Sequence, residues 1–106
     1  MIKLSERVSS NDFHSDTQAF FAGKSVIVTG GGGFIGSHIV EQLIALGGHV
    51  VVPTRNRISK FLLPMESQIE IRNCDLADQA QTRKALYGAN IALHLAADVG
   101  GLDYNI

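Results

Sequence analysis

The sequence predicts an α/β fold, a partial Rossmann-type, doubly wound parallel sheet with four strands in the order 3-2-1-4. A short apolar run at residues 25–28 leads into a glycine-rich turn, and a helix-type pattern follows that turn directly. Further strand-like segments lie at residues 49–52, 69–72 and 90–96, separated by a polar loop and a second helix-type segment. Right-handed crossovers between parallel strands account for this alternation, and they place the ligand crevice between the first and fourth strands.

Both predicted helices have recognisable ends. Apolar side chains recur at spacings of three and four after the glycines, and Gly47 ends this helix as a left-handed cap. The second helix, at residues 78–87, begins at Asp78, whose carboxylate can cap it, and ends at Gly88.

The glycine-rich turn predicts a phosphate site. Free N–H groups at a helix start and the positive end of the helix dipole attract an anion, and glycine leaves its approach open. The spacing fits Gly31-x-Gly33-x-x-Gly36, and it also fits a version that begins at Gly30. A Walker-type loop is excluded because Ser37 stands where that loop needs lysine. A purely structural turn is the alternative to dinucleotide binding.

Length and composition restrict the class of protein. With 106 residues, 45% of them apolar, and a net charge of −1, the chain is at most one globular domain without the basic field that nucleic acid binding requires. It contains no apolar stretch long enough for a membrane span, and its first twenty residues lack the apolar core of a signal peptide. Cys74 has no second cysteine to pair with. We therefore expect a cytoplasmic protein without nucleic acid or membrane partners.

The chain divides into two parts. Residues 1–22 are mixed and polar and are interpreted as an N-terminal extension with room for one short helix, and residues 23–106 as the dinucleotide-binding domain. Phe20 and Phe21 in the extension either pack on the sheet edge or bind a partner, and packing is the commoner role of such aromatics.

The residues after the strands indicate which dinucleotide binds. No carboxylate follows the second strand, where NAD would need one, whereas Arg55 and Arg57 suit the 2′-phosphate of NADP. The cofactor is therefore predicted as NADP, with NAD possible, and a solvated basic loop is the alternative. Asp75 either contacts the adenine amino group or caps a turn. The predicted cofactor-binding residues are Gly30, Gly32, Gly33, Phe34, Ile35, Gly36, Arg55, Asp75, Leu76, Leu95, Ala96 and Ala97.

No metal-binding or catalytic residue is predicted. His38, His49 and His94 lack a second ligand at metal-like spacing, so they are interpreted as ordinary surface or core histidines. Cys74 is interpreted as a small buried side chain.

Three motifs together resemble the extended short-chain dehydrogenase/reductase family, which includes NAD(P)-dependent nucleotide-sugar epimerases, dehydratases and reductases. They are Thr29-Gly30-Gly31-Gly32-Gly33-Phe34-Ile35-Gly36-Ser37-His38, Asp75-Leu76 and His94-Leu95-Ala96-Ala97. The resemblance runs from about residue 24 to the end. Asp98-Val99-Gly100-Gly101 is also similar to a loop of the GDP-fucose synthase and GDP-mannose 3,5-epimerase subfamily, and Arg55 agrees with NADPH use there.

The resemblance implies hydride exchange between nicotinamide and a sugar carbon of a nucleotide sugar, with a tyrosine and a lysine four residues later as the acid/base pair. This sequence has no such pair: Tyr87 is followed at that distance by Ile91, and two residues follow Tyr104. We therefore expect a domain truncated after the fourth strand, inactive alone, which either self-associates or lacks a C-terminal portion. A stand-alone nucleotide-binding or regulatory module is the alternative.

Overall fold

The computed structural model describes residues 14–55 and 57–97. The elements, in chain order, are α1 (Ser15–Phe21), β1 (Ser25–Thr29), α2 (Phe34–Ala45), β2 (His49–Thr54), a 3₁₀ helix (Leu63–Gln68), β3 (Ile69–Asn73), α3 (Gln79–Ala85) and β4 (Ile91–His94). The loop at residues 98–101 and Tyr104 lie outside the described residues.

The four strands form one parallel sheet in the order β3-β2-β1-β4, which confirms the predicted fold class and strand order. Val26 of β1 lies opposite Val50 on one side and Ile91 on the other. β1 and β2 are therefore the central strands.

The core lies between the sheet and α2. Side chains of alternate strand residues, Val26 and Val28 among them, pack there against Val40 and Leu43 of α2. Leu62 and Met65, from the segment between β2 and β3, close the same core. On the opposite face, Arg72 donates to the carbonyl oxygens of Ala85 and Tyr87, 2.7 and 3.0 Å away, which holds the end of α3 there. Helices therefore cover both faces, as a doubly wound sheet requires.

The predicted end of α2 and the predicted start of α3 are confirmed. Gly47, with φ +81°, ends α2 in the left-handed region that favours glycine, and Gly88, with φ +83°, follows α3. Asp78 caps α3 by accepting a hydrogen bond from the amide of Gln81 at 2.9 Å. α3 stops at Ala85, two residues before the predicted end at Tyr87, which is 83% exposed.

The strand ends differ from the prediction, by one residue in β1 and β3 and by two residues in β2 and β4. β2 continues through Pro53. Its pairing with β1 ends at Val51, so the missing N–H of Pro53 removes no hydrogen bond to β1. β4 stops at His94, not at residue 96, because its partner β1 ends at Thr29.

The predicted N-terminal extension contains α1, and the two phenylalanines of α1 have different roles. Phe21 packs against the core, whereas Phe20 is 52% exposed and its ring centre lies 3.7 Å from Lys24 Nζ. Within the described residues, none of the helices is long and apolar enough to cross a membrane.

Candidate functional site: a glycine loop between two cavities

The glycine-rich turn joins β1 to α2. Gly30 has φ +72°, and the amide of Gly33 donates to its carbonyl oxygen at 3.1 Å. Gly33 is also the N-cap of α2, and no side chain caps this helix. Since the first-turn amides of a helix have no acceptor within the helix, they are available to an anion here.

The space around each glycine shows which glycines are required for packing of the fold and which leave room for a ligand. A Cβ added to Gly36 would collide with the carbonyl oxygen of Gly30, and one on Gly31 would lie 3.1 Å from Val52 Cγ2. These two glycines allow α2 to pack closely against the strands. A Cβ on Gly33 would meet only the Gly30 oxygen, at 3.4 Å, so that position is open. This open approach beside uncapped amides fits a pyrophosphate group.

A first cavity of about 250 Å³ lies beside the loop. Its walls are residues 30–33, the end of β2 and the segment after it, with Arg57 and Ser59. The Ser59 hydroxyl donates to the carbonyl oxygen of Gly32 at 2.7 Å and so attaches this segment to the glycine loop. The cavity therefore combines backbone amides with a guanidinium group, which is a chemistry suited to phosphate.

A second cavity, of about 480 Å³, lies where the chain leaves β2, β3 and β4. It is lined by Arg55, Asp75, Leu76, Ala77, His94, Ala96 and Ala97. The structure thus brings together five residues of the predicted set, from three separate segments. Leu95, the sixth residue predicted in these segments, is 42% exposed and does not line this cavity.

Asp75 caps a turn, which was one of its two predicted roles. Its Oδ1 accepts from the amide of Ala77 at 3.0 Å, and its carbonyl oxygen accepts from the amide of Asp78 at 2.9 Å. Its second oxygen, Oδ2, lies 3.8 Å from Arg55 Nη1 in the second cavity. The turn therefore occupies one carboxylate oxygen and leaves the other directed toward the cavity side.

The Thr29 hydroxyl fixes the chain after β4. Thr29 is 4% exposed, and its Oγ1 accepts from the amides of Leu95 at 3.0 Å and Ala96 at 3.1 Å. A Cβ on Gly30 would lie 2.9 Å from the amide nitrogen of Ala96. The glycine loop and the end of β4 are therefore packed into one unit that separates the two cavities.

The first turn of α2 exposes apolar side chains. Phe34 is 64% and Ile35 is 69% exposed. The Phe34 ring packs edge-on against Phe61 and His38, with ring centres 5.8 and 4.8 Å apart.

The pKa of Glu70 is shifted, and this residue lies outside both cavities. Hydrogen bonds from Arg72, at 2.5 Å, and from His49, at 3.0 Å, hold the pKa of Glu70 below its ordinary value.

Among the described residues, no three His, Cys, Asp or Glu side chains are grouped as metal ligands would be. Cys74 is buried, as predicted.

Sequence reasoning missed two residues of this site. Ser59 lies in a loop without periodicity, and His94 was interpreted as an ordinary histidine. Ser59 and His94 make contacts to residues 27 and 65 positions away, and no local pattern signals such contacts.

Comparison with known proteins identifies the family. The sequence model of the NAD dependent epimerase/dehydratase family matches residues 26–106. The chain is 34% identical, over 70% of its length, to 22% of a decarboxylating sterol-4-alpha-carboxylate 3-dehydrogenase of Dictyostelium discoideum. It is 31% identical, over 85% of its length, to 28% of cinnamoyl-CoA reductase 1 of Oryza sativa subsp. japonica.

A solved structure has the same fold. The epimerase Mth375 of Methanothermobacter thermautotrophicus superposes with a TM-score of 0.68 at 28% identity, over 80% of this chain and 26% of that one. The chain thus spans about a quarter of the length of the proteins that it matches. With the family match over residues 26–106 and the glycine loop between two cavities, the chain belongs to the NAD-dependent epimerase/dehydratase family.

Proposed function

We propose that this chain binds the adenosine diphosphate half of a nicotinamide dinucleotide. The observation that carries the proposal is the open approach at Gly33 to the uncapped start of α2. Amides of the glycine loop and of Phe34 and Ile35 would hold the pyrophosphate. The second cavity, with Asp75 and the small residues Ala96 and Ala97, would hold the adenosine.

We further propose that NADP(H) is preferred to NAD(H). Thr54 ends β2 and Arg55 follows it, so no carboxylate stands where the 2′-hydroxyl of NAD would be bound. Arg55 lies in the second cavity and Arg57 in the first, which supports a role for either guanidinium at the 2′-phosphate.

In the complete protein, the proposed reaction is hydride exchange with a sugar carbon of a nucleotide sugar. When bound, the nicotinamide supplies the hydride acceptor or donor. The chain's own contribution is to bind and orient the dinucleotide, since its sequence has no tyrosine followed four residues later by lysine to carry the accompanying proton. The epimerase neighbour supports a reaction of the epimerase type, whereas the sterol and cinnamoyl-CoA relatives favour substrates other than nucleotide sugars.

A stand-alone nucleotide-binding or regulatory module is the second candidate. The coding DNA beyond residue 106 distinguishes the two. An open frame that reaches a Tyr-x-x-x-Lys sequence supports an enzyme, and a stop codon at that point supports the module.

Calorimetric titration of the chain with ADP-ribose and with NADPH tests the binding proposal. We expect saturable binding of both, because both contain the pyrophosphate and the adenosine. The absence of binding to either would overturn the proposal.

A further inference from the structure

The glycine loop depends on contacts from outside for its conformation. Residues 30–33 are four consecutive glycines, and glycine loses more conformational freedom on ordering than any other residue. These residues have no side chains that could hold the loop. A neighbouring segment must therefore supply the contacts that order it.

The peptide group between Gly32 and Gly33 is held at both ends. Its carbonyl oxygen, on Gly32, accepts a hydrogen bond from the Ser59 hydroxyl at 2.7 Å. Its N–H, on Gly33, donates to the carbonyl oxygen of Gly30 at 3.1 Å. Rotation of this peptide group would break both hydrogen bonds, and the glycine on either side offers little steric resistance to the rotation. The bond from Ser59 thus opposes rotation from outside the loop.

Ser59 is itself held in place. Its carbonyl oxygen accepts from the amides of Leu62 at 3.0 Å and Leu63 at 3.2 Å, so Ser59 begins a tight turn. Leu62 is 1% exposed and belongs to the hydrophobic core. The hydroxyl therefore comes from a segment that is anchored independently of the glycine loop.

The same segment also contacts the start of α2. The Phe61 ring packs edge-on against Phe34, with ring centres 5.8 Å apart, and Phe34 directly follows Gly33, the N-cap of α2. This contact and the burial of Leu62 do not involve the Ser59 hydroxyl. Removal of the hydroxyl should therefore free the peptide group without releasing the segment.

We infer that Ser59 is a positioning residue for the pyrophosphate of the bound nucleotide, because its hydrogen bond to Gly32 keeps the glycine loop in the conformation that leaves the start of α2 open. Without this bond, the Gly32 carbonyl oxygen is an acceptor without its partner beside an anion site, and its partial negative charge opposes a phosphate. Binding must then also order the loop, which lowers affinity. The inference rests on the proposed nucleotide binding.

A set of variants separates the hydroxyl from the rest of the side chain. Ser59→Ala removes the donor, Ser59→Cys replaces it with a weak one of similar size, and Ser59→Thr keeps it. Ser67→Ala is the matched control, since Ser67 is exposed in the 3₁₀ helix and lines neither cavity. Melting temperatures control for stability, and Ser59→Cys decides the outcome if Ser59→Ala does not fold.

The first measurement needs no nucleotide. NMR of the free chain reports the rate at which the Gly33 amide exchanges its hydrogen with water, with the Val51 amide in the sheet as an internal reference. We expect exchange at Gly33 to be about five- to tenfold faster in Ser59→Ala than in the parent, and Ser59→Thr and Ser67→Ala to resemble the parent. The same rate in the parent and in a folded Ser59→Ala would overturn the inference whatever the chain binds.

The second measurement is the dissociation constant for ADP-ribose and for ADP-ribose 2′-phosphate, by calorimetry. We expect Ser59→Ala to bind both about five- to tenfold more weakly than the parent, Ser59→Cys to lie between them, and Ser59→Thr to restore binding to within about twofold. Unchanged affinity in a folded Ser59→Ala would overturn the inference. A loss confined to ADP-ribose 2′-phosphate would also overturn it, because Ser59 would then contact the 2′-phosphate directly in the first cavity.

Adenosine tests whether the effect is limited to the pyrophosphate. It contains no phosphate, so NMR titration should give the same affinity for the parent and for Ser59→Ala. An equal loss for adenosine would indicate a general distortion and contradict the positioning role. If the parent bound neither ADP-ribose nor adenosine, the proposed function would fail, and the exchange rate of Gly33 would still decide whether Ser59 orders the loop.

Discussion

Arg55 Nη1 lies 3.8 Å from Asp75 Oδ2, so two opposite charges that follow neighbouring strands meet in the second cavity. The side chains are 69% and 39% exposed. An exposed pair of this kind contributes about 0–1 kcal/mol, whereas a charge-assisted hydrogen bond contributes about 1.5–3 kcal/mol. A ligand phosphate would therefore compete successfully with Asp75 for the guanidinium.

From this comparison we expect the parent to bind 2′,5′-ADP about one to two decades more tightly than 5′-AMP. Arg55→Ala should remove most of this preference, and Arg57→Ala tests the second guanidinium in the same way. Isothermal titration calorimetry measures both ligands. Equal affinity of the parent for 2′,5′-ADP and 5′-AMP would refute the role of these arginines.

Gly33→Val should abolish dinucleotide binding without unfolding the chain. The open space at Gly33 accommodates the side chain in the fold, but the side chain then occupies the approach to the amides of α2. Gly36→Ala is the contrasting variant, since its methyl group would meet the Gly30 carbonyl and destabilise the fold itself. Calorimetry and circular dichroism separate the two effects, and unchanged affinity in Gly33→Val would contradict the assigned pyrophosphate site.

Glu70 should make stability depend on pH. Because Arg72 and His49 lower its pKa in the folded state, its contribution is present above the ordinary glutamate value of 4.5 and is lost as pH falls through the folded value. The melting temperature of the parent should therefore be higher than that of Glu70→Gln at neutral pH, and this difference should shrink at about pH 3. Glu66→Gln, in the exposed part of the 3₁₀ helix, is the control. A difference that stays constant with pH would contradict this role of Glu70.

The chain alone should self-associate. Within the described residues β4 pairs with β1 on one side only, so its other edge presents free N–H and C=O groups beside partly apolar side chains. Ala92, which is exposed on β4, is a suitable position for a blocking charge, and Ala92→Lys should reduce association. Sedimentation velocity at increasing concentration measures both chains, and a monomeric parent would show that this edge is covered.

The chain alone should also leave nucleotide sugars unchanged. Its sequence lacks the tyrosine and lysine that would carry the proton accompanying hydride transfer. An NADPH-consumption assay with GDP-sugars measures this directly, with a complete family enzyme as the positive control. Turnover by the 106-residue chain would contradict the assignment of this chain to cofactor binding alone.

The sequence predicted those parts of the fold that local patterns specify. The strand order follows from the alternation of apolar segments, and Gly47 and Asp78 mark helix ends through backbone chemistry that acts within a few residues. The ends of β2 and β4 were less predictable, because each depends on where the neighbouring strand β1 stops pairing.

For the site, too, the residues within one local motif were predictable and the contacts between distant segments were not. Gly33 and Gly36 are recognisable from their spacing, although the spacing did not show that one serves the ligand approach and the other the packing. The contact of Ser59 with Gly32 and that of Thr29 with His94 join segments distant in the chain. Contacts of this kind depend on the folded sheet, and a single sequence contains no local signal for them.

The 65 residues between Thr29 and His94 also have a kinetic consequence. Pairing of β1 with β2 closes a short loop, whereas pairing of β1 with β4 must wait until the intervening chain has collapsed. Since Thr29 and Gly30 are fixed by the segment after β4, the nucleotide site is completed only by that last event. During refolding, helical circular dichroism should therefore recover before the capacity to bind nucleotide.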